Sequence, residues 1–159
     1  MNKETVRTLC LWMATRYNAQ MDKVRVGSNQ TSRYGSMSMG KNGFRISVST
    51  YRTDYPENTP SENANLQNKI KILETIVHEF AHITLYQEGK FDVHHGPTFT
   101  ERLNRMLVKD WKELVKIYNF IEQDNLTDNI NFVIALSGDP HVTLRHFTEA
   151  RRRYDEEKS

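Results

Sequence analysis

The sequence predicts an α+β fold: a small antiparallel sheet of about three strands packed on one long helix, with further helices flanking it. Three observations lead there. Apolar residues at Leu66, Ile70, Leu73, Ile76, Val77, Phe80, Ala81 and Leu85 recur at helical steps, with no proline or glycine between them. Residues 44–51 alternate instead, Phe44, Ile46 and Val48 against Arg45, Ser47 and Ser49, which is the period of a half-buried strand. A second helical pattern, Phe99, Leu103, Met106, Leu107 and Trp111, follows a turn-prone segment bracketed by Gly89 and Gly96.

Taken in order, residues 4–19 read as an amphipathic helix with the stripe Val6, Leu9, Met13 and Tyr17. Cys10 lies beside that stripe and reads as a packed thiol. Lys23–Val26 is a short strand with Val24 and Val26 on one face, and Gly27-Ser28-Asn29 is a turn. Arg33–Met39 alternates in part, with Gly35, Met37 and Met39 on one face and Tyr34, Ser36 and Ser38 on the other. Gly40-Lys41-Asn42-Gly43 is a hairpin signal leading into the strand Phe44–Tyr51. Asp54–Asn65 is polar, holds two prolines and reads as a loop, either a flap or a plain connection. The long helix then runs to a stop at Gly89, and the next spans about Thr98 to Glu122. Beyond Asn125 the signals weaken. Asn131–Leu136 reads as a short strand or a helical turn, Gly138-Asp139-Pro140 breaks it, and Val142–Tyr154 forms a final helix ending in three arginines. The expected organisation is one domain over residues 1–125 and a C-terminal extension over 126–159.

The chemistry lies in His78-Glu79-Phe80-Ala81-His82, an H-E-x-x-H string on the long helix. Positions i and i+4 share a helix face, about 6 Å apart along the axis, so the two imidazoles can converge on one metal ion. Glu79 then reaches a water at an open metal position, the arrangement a zinc peptidase needs. A third ligand is available in the run His94-His95-Gly96-Pro97-Thr98-Phe99, on the loop entering the next helix. Three histidines leave a fourth tetrahedral position open, the catalytic rather than the structural zinc pattern.

HEFAH followed by a short loop and HGPTF resembles the core of the SprT-like zinc-peptidase family, the Spartan type, whose pattern is H-E-x-x-H, a loop and H-G-P-x-F. The resemblance covers roughly residues 5–120, with its specific motifs between His78 and Phe99. It implies a zincin-like core, one Zn²⁺ held by His78, His82 and His95, and Glu79 as general base. It selects His95 of the adjacent pair because His95 directly precedes Gly96, leaving His94 for substrate contact or the site rim. Several family members carry a cysteine-rich zinc ribbon after this core. This chain has a single cysteine, so it carries no such ribbon. The resemblance also implies a protein or peptide substrate and a DNA-stimulated protease acting on DNA-bound or crosslinked proteins, as in a minimal bacterial or phage-encoded member.

Other residues stand as open candidates. Glu101, on the first turn of its helix, either hydrogen-bonds a ligand imidazole or complements the helix N-terminus. Glu74, one turn before His78, poses the same question. Tyr34, Tyr86 and His94 are candidates to stabilise an oxyanion. The strands Tyr34–Met39 and Phe44–Val48 are the candidates to receive an extended substrate as an added strand. His141 and His146 are off helical register, which argues against a second metal site.

Net charge is +2, unevenly placed. Residues 1–53 hold nine bases and two acids, a net +7, and the remaining residues hold thirteen bases and eighteen acids, a net −5. Two readings of the basic half stand: scattered solvated charge, or a surface for single- or double-stranded DNA, with Arg25, Arg33, Lys41 and Arg45 as its residues. The terminal arginine triplet poses the same choice. No apolar run approaches the roughly 20 residues of a membrane helix, and residues 1–17 lack the pattern of a signal peptide. One cysteine suits a reducing, cytoplasmic compartment, nucleoid-associated if DNA is a partner. Two further function classes remain beside the peptidase: a structural or regulatory protein that holds zinc without proteolysis, and a nucleic-acid-binding module whose H-E-x-x-H site is secondary.

Overall fold

A computed structural model describes residues 1–27, 34–50, 61–91, 94–137 and 139–159. The expected turn at Ser28-Asn29, the residue Arg33 and the first part of the Asp54–Asn65 loop lie outside these residues.

Helix α1 (Lys3–Arg16) starts at Asn2, whose side chain accepts a hydrogen bond from the Glu4 N–H at 2.8 Å. Val6, Leu9, Cys10 and Met13 form its fully buried face. Burial pushes the Cys10 thiol up to about 12, so this cysteine is an inert packed group. Arg16 and Tyr17, at the helix end, both donate to the buried carboxylate of Asp110 and tie α1 to a later helix.

Three strands follow, β1 (Met21–Gly27), β2 (Gly35–Gly40) and β3 (Gly43–Ser49). Their order is β1-β3-β2. β2 and β3 form the expected hairpin, with Met39 opposite Phe44 and Gly40 opposite Gly43. Gly43 turns the chain at φ +133°, where a Cβ would overlap the Gln20 carbonyl. The sheet is mixed rather than wholly antiparallel, because β1 pairs with β3 in parallel. The reason is topological. The end of β1 (Gly27, paired with Ser49) and the start of β2 (Gly35, paired with Val48) lie at the same end of the sheet. β1 and β2 therefore run antiparallel to each other. β3 is inserted between them and, being antiparallel to β2, must run parallel to β1.

Helix α2 (Ser61–Gln87) begins inside the segment expected as a loop. Pro60 is the last breaker, and nothing in Ser61–Asn65 opposes a helix that the following apolar run stabilises. Every residue from Ile70 to Val77 is buried, which marks α2 as the central helix, covered all round. It ends in a Schellman motif: Gly89 takes φ +81°, its N–H donates to Tyr86, and the Lys90 N–H donates to Leu85. Helix α3 (Pro97–Glu122) starts with proline in its first turn and buries Phe99, Leu103, Met106, Leu107, Trp111, Leu114 and Tyr118. Asn131–Leu136 is helical, within α4 (Ile130–Ser137), and α5 (Leu144–Lys158) is capped by Thr143.

The fold is therefore α+β. The sheet packs its Phe44, Ile46 and Val48 face on α2, and full burial of each such side chain contributes on the order of 2 kcal/mol. α3 covers another side of α2, α4 packs on α2 and α5 on α3, so the segment beyond residue 125 packs on the core. No helix among the described residues is long and apolar enough to cross a membrane.

Candidate metal centre

His78 and His82 project from one face of α2, one turn apart, with ring centroids 5.2 Å apart. His95 reaches them from the short segment before α3. Its Nε2 lies 3.2 Å from Nε2 of His78 and 3.1 Å from Nε2 of His82. The local sequence explains the reach: the turn closed by Gly89 reverses the chain, and Gly96-Pro97 sets the start of α3 immediately after His95. Phe99, one turn into α3, forms the floor. Its ring stacks on His82 at 4.3 Å and meets His78 and His95 at 4.7 and 4.8 Å.

These three side chains can hold a metal ion. The donor set passes a simple test. Two nitrogens bound tetrahedrally at 2.0–2.1 Å stand about 3.3 Å apart, close to the spacing seen. Burial, followed by the neighbouring His78 and His95, lowers the His82 pKa to about 4. Burial also lowers that of His95, with His78 and His141 contributing in the same direction. Both shifts favour the neutral ring, whose lone pair is available to a cation.

The triad opens into a cleft of about 570 Å³ between α2 and β2. Glu79 lines it and is 4% exposed. Strand β2 approaches so closely that a Cβ on Gly35 would lie 3.3 Å from Glu79 Oε2. Since β3 is central, β2 is the edge strand beside the site. The cleft wall continues through Tyr34, Lys71 and Glu74. Glu74 is 1% exposed, and burial pushes its carboxyl up to about 6 against the opposing pull of Lys71, whose Nζ is 3.3 Å away.

The remaining sequence candidates divide. Tyr34 lines the cleft, its ring 4.5 Å from the Lys71 ammonium. His94 is exposed and does not join the converging nitrogens. Tyr86 packs between Phe44 and Phe91, with centroids at 5.5 and 4.5 Å, and does not line the cleft. Glu101 pairs with Arg153 of α5 at 2.9 Å, because α5 lies along the outer side of α3. Arg25 and Arg45 stand on the sheet face turned away from α2, and with Lys23, Ser36, Ser38 and Ser47 they line a shallow concavity of about 300 Å³. Lys41 is exposed in the hairpin turn. A separate groove of about 660 Å³ lies near α2 and α3, but its Arg102 is paired with Glu88 and its Arg105 with Glu157.

Two further residues lie at the site, neither of them placed there by the sequence. Asp139, in the loop between α4 and α5, places Oδ2 3.7 Å from Nδ1 of His78. Burial would raise its carboxyl, but His78, the His141 N–H and the Lys71 charge together hold it well below the usual carboxylate range. His141 lies with its ring 5.4 Å from that of His95, its Nδ1 2.8 Å from Thr100 Oγ1. The sequence signals here are Gly138-Asp139-Pro140, which reads as a chain break, and His141, which lies off helical register with His146. Comparison with known protein families, with characterised proteins and with solved structures finds no match to this chain.

Proposed function

We propose that this protein is a zinc-dependent metallopeptidase that hydrolyses peptide bonds in protein substrates. The observation that carries the reading is the convergence of three Nε2 atoms beside the buried Glu79, in a cleft flanked by a sheet edge. His78, His82 and His95 would hold the ion. Bound zinc would supply a Lewis acid that acidifies water and polarises a carbonyl. The chain's own residues supply the rest. An extended substrate adds to the edge of β2, which sets its scissile carbonyl over the histidines. Glu79 takes a proton from the attacking water as the new C–O bond forms, then delivers it to the amine as the C–N bond breaks. Tyr34 is the oxyanion candidate that lines the cleft. The likeness of HEFAH and HGPTF to the SprT-like core supports the same reading.

A second element of the proposal concerns DNA. Lys23, Arg25 and Arg45 share one exposed sheet face with three serine hydroxyls. Such a face suits a phosphate backbone, and among the described residues no aromatic side chain lines it for bases to stack on. Asp22 offsets part of the charge, accepting from Arg45 Nε at 2.8 Å. On this reading the substrates are DNA-associated proteins.

The test is cleavage of a basic DNA-binding protein by zinc-loaded wild type and Glu79→Gln, with and without single-stranded DNA. Cleavage by wild type and not by Glu79→Gln is expected, enhanced by DNA, while Glu79→Gln keeps its zinc and His82→Ala loses both zinc and activity. Full activity in Glu79→Gln would remove the assigned base. Cleavage indifferent to DNA would separate the peptidase from the nucleic-acid reading. A zinc-loaded wild type that cleaves nothing would favour a structural or regulatory role.

A further inference from the structure

We infer that Asp139 is a positioning residue of the metal centre, so that the loop between α4 and α5 completes a site otherwise built from α2 and the segment before α3. The inference rests on metal binding by the three histidines and is independent of whether the protein is a peptidase.

The two ring nitrogens of His78 face different partners. Nε2 points into the triad, 3.2 Å from Nε2 of His95. Nδ1 points the other way and faces Asp139 Oδ2 at 3.7 Å, within ion-pair range. An imidazole that offers its Nε2 lone pair to a cation must carry its proton on Nδ1. A carboxylate accepting from that N–H selects the required tautomer, fixes the ring plane and makes Nε2 a stronger donor to metal.

Asp139 is itself held in place. Its Oδ1 accepts the His141 N–H at 2.8 Å, and its own N–H donates to Ser137 Oγ at 3.1 Å. The loop is pinned to α3 from the far side. Asn104 Nδ2 donates to the His141 carbonyl at 2.7 Å, and Thr100 Oγ1 lies 2.8 Å from His141 Nδ1. The helix that fixes His95 therefore also fixes the loop that carries Asp139. The side chain of Asp139 is 8% exposed, so its second oxygen is not simply turned to solvent. The two oxygens have separate duties: Oδ1 shapes the loop and Oδ2 faces the ligand.

That division supplies the experiment. In the full chain, Asp139→Asn retains an Oδ1 for the His141 N–H but sets an amide NH₂ against the His78 N–H. Zinc affinity, measured by competition with a chelator, is expected to fall about 10- to 100-fold. The melting temperature of the metal-free protein is expected to stay put, and the visible spectrum of the cobalt-loaded protein to change. Zinc affinity within twofold of wild type would overturn the inference, as would a loss matched by unfolding of the metal-free variant. A second measurement needs no variant. In the zinc-loaded wild type, side-chain ¹⁵N resonances should show His78 bound through Nε2 with a slowly exchanging proton on Nδ1. Binding through Nδ1, or an Nδ1 proton in free exchange with water, would also overturn it. A wild type that binds no zinc would overturn this inference together with the metal reading. One that binds zinc but cleaves no protein would fail the peptidase proposal alone, and the ¹⁵N and affinity measurements would still decide Asp139.

Discussion

Gly35→Ala tests how β2 is held against the metal helix. A Cβ at this position would lie 2.6 Å from Thr75 Cγ2 on α2 and 2.8 Å from the Ser47 carbonyl oxygen on β3. Ordinary carbon contacts begin near 3.5 Å, so the strand must move by about 1 Å. Ser47 O belongs to the backbone of the central strand and cannot rotate away, which leaves β2 to yield. Inserting one methyl into such a packed interface costs about 1–3 kcal/mol. At 2 kcal/mol this lowers the melting temperature of a chain this size by roughly 4–8 °C. The new atom would also sit 3.3 Å from Glu79 Oε2. If Glu79 is the base of a peptidase, a displacement of about 1 Å at its carboxylate can reduce turnover about 100-fold. Zinc affinity should be unchanged, because none of the three converging histidines lies on β2. Thermal melts, chelator competition and peptide hydrolysis on the same preparation give the three readouts. A Gly35→Ala protein with wild-type melting temperature and turnover would refute the close packing of β2 on α2. Loss of zinc would refute the claim that the damage is local to Glu79.

Arg16→Met removes the cation from Asp110, whose side chain is 0% exposed, and should destabilise the fold by about 3 kcal/mol, the low end for stranding a buried charge, because Tyr17 still donates; urea denaturation measures it, and a loss below about 1 kcal/mol would contradict the assignment. Hydrogen bonds from Lys69 and Tyr118 hold the Asp124 pKa at about 2, below its unfolded value near 3.9. Its contribution, about 1 kcal/mol at most for a half-buried, solvent-screened pair, is therefore complete above about pH 4 and lost as pH falls towards 2. Asp124→Asn should flatten stability over that acid window alone, and an unchanged acid limb would refute the pairing. If the outer sheet face binds single-stranded DNA, the double variant Lys23→Ala, Arg25→Ala should reduce the slope of log affinity against log salt by about 1.4; an unaltered slope would place the DNA elsewhere.

Much of this protein is written in local periodicity. The three- and four-residue steps through Ile70, Leu73, Val77 and Phe80 determined α2 and, with it, that His78 and His82 share a face with Glu79 beside them. Alternation in Phe44–Val48 and the Gly40–Gly43 turn determined the β2–β3 hairpin. The adjacency of His95 to Gly96-Pro97 placed a third imidazole on the entry to α3. Each of these depends on residues close along the chain, where helix pitch and strand pleat alone decide which side chains meet. The tertiary structure decided what those rules cannot reach. It inserted β3 between β1 and β2, making β1 its parallel neighbour and β2 the edge beside the site. It paired Glu101 with Arg153, packed Tyr86 between Phe44 and Phe91, and brought Asp139 from a loop read as a chain break to Nδ1 of His78. Apart from Tyr86–Phe91, those contacts join residues more than 40 positions apart in sequence. No periodicity encodes them; they arise from the way the sheet and the other helices pack around α2.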